Sequence, residues 1–537
     1  MTTVDAKLAE WLERYGGEDV SLGALLCDSH PSEAIALVFD GPDGVRRLSY
    51  GELGERSARL AGSLRELGVQ QGDRVAVMLP KSPELLVSLV AVWRAGAVHV
   101  PLFTAFGPDA AGFRITHSGA RLVITDGGNR EKVTVEGVPV MTAAEVGPGS
   151  DDLSLSEAIE RGEALDDCSL SGDDLMILLY TSGTTGNPKG VEVPVRSLAS
   201  VHSYMHYGLD LRPDDVFWNV SDPGWGYGLW FGLVGPMLLG QATLLRGVAF
   251  DAESAFAAIL EHGVTNLAGA PTVYRALRAG GVPEDFRERS DLRVASSAGE
   301  PLNAELLAWS ARELGVAIHD HYGQSELGMV TGFPHHPELQ RDPVPGSMGI
   351  SSPGFQAVIV GEDGELAEDG VDGELAIDVE ASPLYWFRGY YQDPERTAER
   401  FRHGPAHYLT ADAARKEDGL LYFASRADDV ITSSGYRIGP FEVENALMAH
   451  DAVAEVAVIG TPDELRGEAV TAFIVTTGAG EGSTELADEL KEFVRARLAK
   501  HLYPRSVHFV DALPRTPSGK VKRNVLRVQG QAEQPGA

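Results

Sequence analysis

The chain has 537 residues, 43% of them hydrophobic, which is more than one hydrophobic core accommodates, so two or more domains are expected. Its 78 acidic and 45 basic residues give a formal net charge of −33, which argues against non-specific nucleic-acid binding while leaving room for a local basic site that holds an anion. Cys27 and Cys168, far apart in sequence, suggest neither a disulfide framework nor a cysteine-rich metal site.

The start, MTTVDAKLAEWLERYGGED, lacks the basic region and apolar core of a signal peptide. DRVAVMLP (73–80) reads as a buried strand and SPELLVSLVAVWRAG (82–96) as the helix that follows it. ARLVITD (120–126), DLMILLYTS (174–182), the segment around ATLL (242–245) and TNLAGAP (265–271) continue the alternation of strand and helix, which predicts an α/β architecture with largely parallel sheets. LWFGLVGPMLLG (229–240) is the most apolar stretch, but glycine and proline break it and it is too short for a membrane span. A soluble, cytoplasmic protein is expected. Beyond about residue 345, GEDGELAEDGVDGELAI (361–377) reads as hairpins of a smaller β-rich subdomain. A further change falls near 425–430. FEVENALMAHDAV then reads as a helix, VAEVAVIG and AVTAFIVT as strands, and ELADELKEFVRARLAKHL as a strongly periodic helix. The expected division is residues 1–427 and a compact α+β unit over 428–530, with GQAEQPGA frayed at the end.

Five stretches carry chemistry. YTSGTTGNPKG (180–190) follows an apolar strand and concentrates glycines and hydroxyls in front of Lys189. Backbone N–H and O–H donors in such a turn suit phosphate oxygens, and a polar surface turn is the alternative. It is not a Walker A loop, because no Gly-Lys-Ser/Thr closes it. ASSAGEPLN (295–303) lies where an apolar strand runs out, the side of an open α/β sheet on which ligands bind; read by itself it is a turn. IHDHYGQSELG (318–328) crowds Asp320, His321, Tyr322, Gln324, Ser325 and Glu326 behind a short strand. His319, Asp320 and His321 make a poor metal cage, since neighbours on an extended segment point apart, whereas a single carboxylate such as Glu326 suits magnesium on a polyphosphate. In YLTADAARKEDGLLYFASRADDVITSSGYRIG (408–439), Asp412 suits a pair of vicinal hydroxyls, and Arg426 and Arg437 suit phosphate or ribose; alone they are a turn acid and two surface cations. In LPRTPSGKVKRNVLR (513–527), Lys520 follows a Ser-Gly turn in a basic patch and suits transient charge stabilisation, or is a solvated loop lysine.

In this order, and over nearly the whole chain, these stretches resemble the adenylate-forming (AMP-binding) superfamily of acyl-CoA synthetases, luciferases and peptide-synthetase adenylation domains. The resemblance implies a large N-terminal domain of two β-sheets with helices plus a distorted β-barrel, and a small mobile α+β C-terminal domain. It implies ATP and AMP binding by Thr181, Ser182, Gly183, Thr184, Thr185, Gly186, Lys189, Gly299, Glu300, Pro301, Asp320, His321, Tyr322, Gln324, Ser325, Asp412 and Arg426. Lys520, Glu326 and Arg437 would be catalytic, Glu326 would hold Mg2+, Asp428 would be the hinge, and Ser434, Gly435 and Tyr436 would approach CoA. The implied cycle makes acyl-AMP and pyrophosphate from an acid and ATP, then passes the acyl group to CoA.

The segment SRADDVITSSGYRIGPFEVENALMAHDAVAEVAVIG is most similar to the acetyl-, propionyl- and medium-chain acyl-CoA synthetases, with Ser425 where glycine is usual. By the same resemblance Trp225, Gly226, Tyr227, Ala298 and Gly323 would line the acyl pocket. Acetate-specific relatives carry tryptophan where this chain has Gly323, so a longer or branched short- or medium-chain acid is expected. Trp225 is equally readable as core. Implied partners are the acid, ATP and CoA, with no nucleic acid and no membrane; a homodimer and a lysine acetyltransferase–deacetylase pair acting on Lys520 are further expectations. A stand-alone ligase with a non-CoA acceptor and an inactive nucleotide-binding scaffold are the alternatives.

Overall fold

In the computed structural model, residues 2–147, 149–181, 188–426, 429, 431–433, 436–463, 466–477, 482–498, 502–516 and 520–532 are described, and for Arg426, Thr432, Tyr436, Arg437, Gln531 and Ala532 the backbone alone. Among these residues the strands form two large sheets, a four-stranded sheet and a C-terminal sheet, besides one small two-stranded pair.

The first large sheet has the strand order Lys189–Pro194, Leu175–Thr181, Val98–Pro101, Arg74–Met78, Leu122–Thr125, Val140–Thr142 and Leu153–Ser154, parallel except for its first member. The expected strand–helix unit is its centre. Arg74–Met78 leads to the helix Pro83–Arg94, which Ser82 caps by accepting from Leu85 N–H and which is buried on all sides. Parallel strands buried on both faces explain why these segments read as unbroken apolar runs.

The second large sheet runs Ile350–Ser351, Gly328–Gly332, Ile318–Gln324, Val294–Ala298, Asn266–Gly269, Phe217–Asn219, Thr243–Arg246, Ile35–Gly41 and Gly44–Ser49. Its central strands are parallel, so the GEP and YGQSE stretches both emerge at carboxyl ends.

The expected distorted barrel is instead an open antiparallel sheet, Ala357–Val360, Asp372–Asp378, His407–Glu417 and Leu420–Arg426. At the outer edge of Leu420–Arg426, Met348 N–H donates to Leu421 O and Leu421 N–H to Gly349 O, so the 347–349 segment covers that edge.

The C-terminal unit packs the helices Pro440–Met448 and Thr484–Arg497 on a sheet built around Val453–Asp463 and Gly467–Thr476, with its own apolar cluster of Ile431, Val443, Leu447, Val458, Ile474, Leu490 and Val494. The long periodic helix stops at Arg497, short of the expected extent. A final helix, Arg523–Ala532, follows the lysine stretch.

Candidate active site

Thr181 and Lys189 face each other across the antiparallel pair Leu175–Thr181 and Lys189–Pro194, so the glycine- and hydroxyl-rich stretch is the loop of a hairpin. Ser182, Gly183, Thr184, Thr185 and Gly186 lie outside the described residues. Thr181 Oγ1 is buried and has no hydrogen-bond partner among the described residues. Lys189 faces inward. Its Nζ lies 3.0 Å from Glu326 Oε1 and donates to Tyr390 Oη at 2.6 Å. Tyr390 O–H donates to the same Glu326 oxygen at 2.7 Å, and Arg400 Nε donates to Tyr390 Oη at 2.9 Å. The Lys189 and Glu326 side chains are only 13% and 7% exposed, so this is an interior ion pair. Burial pushes the Glu326 carboxyl up, but Lys189, the Tyr390 hydrogen bond and Arg400 outweigh it and hold the group below its ordinary range. The carboxylate is therefore kept ionised.

A second cluster surrounds Asp412. Tyr322 O–H donates to Asp412 Oδ2 at 2.5 Å and Gln324 Nε2 lies 2.7 Å from the same oxygen. Gln324 also donates to Thr410 O and its own carbonyl receives Tyr408 O–H, so the YGQSE strand is sewn to the strand His407–Glu417. Ala411, just before the aspartate, has φ +62°, a left-handed conformation that lets the strand bulge and brings Asp412 to the strand ends. Its N–H is taken by Glu374 Oε1 at 2.8 Å. Arg426 pairs with Asp412 in the strand register.

The GEP stretch is braced. Gly299 has φ +95°, where a side chain would be strained, and Glu300 receives Thr272 Oγ1 at 2.8 Å and Arg275. Asp320 is buried and Ser297 Oγ donates to it at 2.5 Å. Burial pushes its carboxyl up to about 7 despite the Ser297 bond and the Leu302 and His321 N–H groups. Asp320 thus ties the third strand stretch to the GEP turn. His319 and His321 both donate to the Phe333 carbonyl, and His319 stacks on His335 with centroids 3.7 Å apart. Burial lowers His321 to about 3 and holds His319 and His335 neutral as well.

Around the expected acyl pocket, a Cβ on Gly226 would lie 3.3 Å from Leu179 and 3.7 Å from Ser325 Oγ, which places this turn between the strand Leu175–Thr181 and the YGQSE stretch. Tyr227 Oη is 3.3 Å from Tyr204 Oη. Trp225 packs on Phe103 and Phe106, at centroid distances of 5.3 and 6.0 Å, with its indole N–H buried and unpartnered among the described residues. Ala298 is buried and pairs with His321 across the sheet. Gly323 differs from the expected open wall: a Cβ there would sit 2.1 Å from the Gly328 carbonyl and 2.8 Å from Met329 Sδ, so its side-chain direction is already filled.

Lys520 is exposed. Its N–H donates to Thr516 Oγ1 and its carbonyl accepts from Thr516 N–H. Asp428, Ser434 and Gly435 lie outside the described residues; Tyr436 and Arg437 belong to a short strand. Asp429, next to the expected hinge, receives Arg527 at 2.6 Å and Arg523 at 3.5 Å from the last helix. Ser425 is buried with its hydroxyl unpartnered among the described residues.

The fold and these clusters define an α/β nucleotide-binding enzyme. A family model described as "AMP-binding enzyme" matches residues 26–391 and its companion, "AMP-binding enzyme C-terminal domain", matches 442–520. The chain belongs to the AMP-binding enzyme family. It is 34% identical over 513 residues to acetyl-coenzyme A synthetase of Bacillus subtilis, covering 93% of this chain and 88% of that one. It is 36% identical over 496 residues to mitochondrial acyl-coenzyme A synthetase ACSM4 of Rattus norvegicus, covering 90% and 84%. The crystal structure of Brucella canis acyl-CoA synthetase superposes with TM-score 0.76 at 42% identity, covering 98% and 97%.

Sequence reasoning missed Tyr390 and Arg400, which complete the Lys189–Glu326 cluster, and Tyr204, which joins Tyr227 to His321. The run WFRGYY followed by PERTAERFR was the available signal: aromatics and arginines of the kind that surround a buried acid.

Proposed function

We propose that the protein is an ATP-dependent acyl-CoA synthetase acting on a short- or medium-chain carboxylic acid. The acid's carboxylate attacks the α-phosphorus of ATP, pyrophosphate leaves, and the CoA thiol then displaces AMP from the mixed anhydride. The observation that carries this reading is the buried Lys189–Glu326–Tyr390 cluster at the base of the 181–189 hairpin loop. It provides a fixed cation and a fixed anion where a polyphosphate and its counter-ion would meet. The relatives named above, all acyl-CoA synthetases, support the same reading.

Within it, the loop residues and Lys189 cradle phosphates, Asp412 receives the ribose hydroxyls, and the GEP and YGQSE stretches border the adenine. Glu326 fits a role in holding Mg2+, because its carboxyl is kept ionised, and an ion bound there would neutralise phosphate charge. Lys520 offsets the repulsion between carboxylate and α-phosphate during adenylation, and Ser434, Gly435 and Tyr436 approach the CoA arm after the C-terminal unit turns about Asp428. A boundary between residues 427 and 428 agrees with the anchoring of Asp429 to the last helix. Acetylation of Lys520 would remove its charge and stop adenylation. The expected location is the cytoplasm; among the described residues no helix is long and apolar enough to cross a membrane.

The test is pyrophosphate release and thioester formation, with and without CoA, across alkanoic acids from two to ten carbons and aromatic acids. Formation of acyl-AMP with no thioester in the presence of CoA overturns the assignment of CoA as acceptor.

A further inference from the structure

The side chains behind the acyl turn fix the direction of a chain of hydrogen bonds. The Phe333 carbonyl can only accept, and it lies 3.1 Å from His321 Nε2. Burial keeps His321 neutral, so the ring carries one proton and that proton is on Nε2. Nδ1 is then a bare acceptor, and its partner is Tyr204 Oη at 3.1 Å. Tyr204 has one proton and spends it there. Tyr227 Oη, 3.3 Å from Tyr204 Oη, must therefore be the donor of that contact. The proton of Tyr227 is committed away from the acyl turn, and what it retains is acceptor capacity.

Asp320 does not alter this. Its charge acts on Tyr227, but its carboxyl is engaged by Ser297. Through Tyr204 the Tyr227 phenol is joined to His321, on the strand Ile318–Gln324 whose later residues Tyr322 and Gln324 hold Asp412.

We propose that the acyl site selects an acid whose chain carries a hydroxyl group, with Tyr227 as the specificity-determining acceptor; this rests on the acyl-CoA synthetase reading and on the 225–227 turn lining the acyl pocket. A methylene against Tyr227 would leave a buried lone pair unpaired, and a keto oxygen would oppose one lone pair with another. An ammonium would pair the oxygen but bring a full charge into an apolar site, which favours the neutral hydroxyl.

The experiment measures kcat/KM for matched sets: butanoate, 3-hydroxybutanoate and 3-oxobutanoate, and pentanoate with its 4-hydroxy and 4-oxo forms. In the unmodified enzyme one hydroxy acid is expected to exceed its keto partner by about tenfold or more. In Tyr227→Phe that ratio falls to near one. In Tyr204→Phe the Tyr227 proton is released, and the ratio shifts towards the keto acid, a reversal that loss of packing alone would not produce. Equal use of all three members in both sets, or a hydroxyl preference that survives Tyr227→Phe, overturns the inference while leaving the synthetase reading intact. Absence of acid-dependent pyrophosphate release with every acid overturns the synthetase reading, and this inference with it.

Discussion

Lys189 and Glu326 are worth most to each other. Both are buried, and removing one takes from the other its ion-pair partner in the interior, at a cost of about 3–5 kcal/mol. Lys189→Met and Glu326→Gln should each lower the melting temperature sharply. The double variant should recover part of the loss, because neither charge is then stranded; additive losses in a four-protein thermal melt would show that the pair is not coupled. Asp320 supplies a contrasting case. Its folded-state pKa of about 7 lies above the ordinary 3.8, so the folded chain keeps a proton that the unfolded chain releases. The stabilisation is complete below the ordinary value and is lost as pH rises through the folded one. Asp320→Asn mimics the protonated state at every pH. The melting temperature of the unmodified protein minus that of the variant should therefore fall as pH rises from about 4 to about 7. A difference that stays flat over this range contradicts the raised pKa.

At the scale of elements, the hairpin formed by Ile318–Gln324 and Gly328–Gly332 controls what position 323 tolerates. Because the Gly328 carbonyl and Met329 Sδ occupy the side-chain direction, Gly323→Trp should not simply add a wall to an open pocket. It should force the hairpin apart and destabilise the protein by about 1–3 kcal/mol or more, read from urea denaturation. An unchanged urea midpoint would mean that the indole finds room, and a shift towards acetate would then be the outcome to seek. Position 411 makes the complementary prediction. With φ +62°, Ala411→Gly should be tolerated, whereas Ala411→Val places a β-branched residue in a left-handed conformation and should raise KM for ATP as Asp412 is displaced. An unaltered KM in the valine variant would separate the bulge from nucleotide binding. These elements also show what was legible beforehand. The strand Leu175–Thr181 and the helix Pro83–Arg94 announced themselves, since their apolar runs and Ser-Pro cap are local signals. The Tyr390 contacts with Lys189 and Glu326 bridge 201 and 64 positions, and no periodicity encodes such a meeting. The edge of Leu420–Arg426 is likewise covered by the distant 347–349 segment, a pairing that no local pattern announces.

At the scale of the whole molecule, the lysine that follows the glycine-rich stretch and the lysine of the C-terminal unit occupy opposite circumstances. Lys189 is enclosed and ion-paired, which suits a permanent part of the site. Lys520 is exposed, in a stretch whose arginines are matched to acids of its own unit: Arg515 with Glu455, Arg523 with Glu444, and Arg527 with Asp429. Those pairs knit the C-terminal unit together, so that it can carry Lys520 as one body. If it turns between half-reactions, Lys520 should matter in only one of them. Lys520→Ala is therefore expected to reduce acyl-AMP formation by about 100-fold or more, the scale of losing one group that stabilises transition-state charge. Thioester formation from supplied acyl-AMP and CoA should remain within a few-fold of the unmodified enzyme. Arg527→Ala loosens the body rather than the charge, and should slow both half-reactions together. Measuring the two half-reactions separately in each variant distinguishes a lysine delivered for one step from a lysine that merely holds the fold, and equal losses in both steps for Lys520→Ala would refute the delivery.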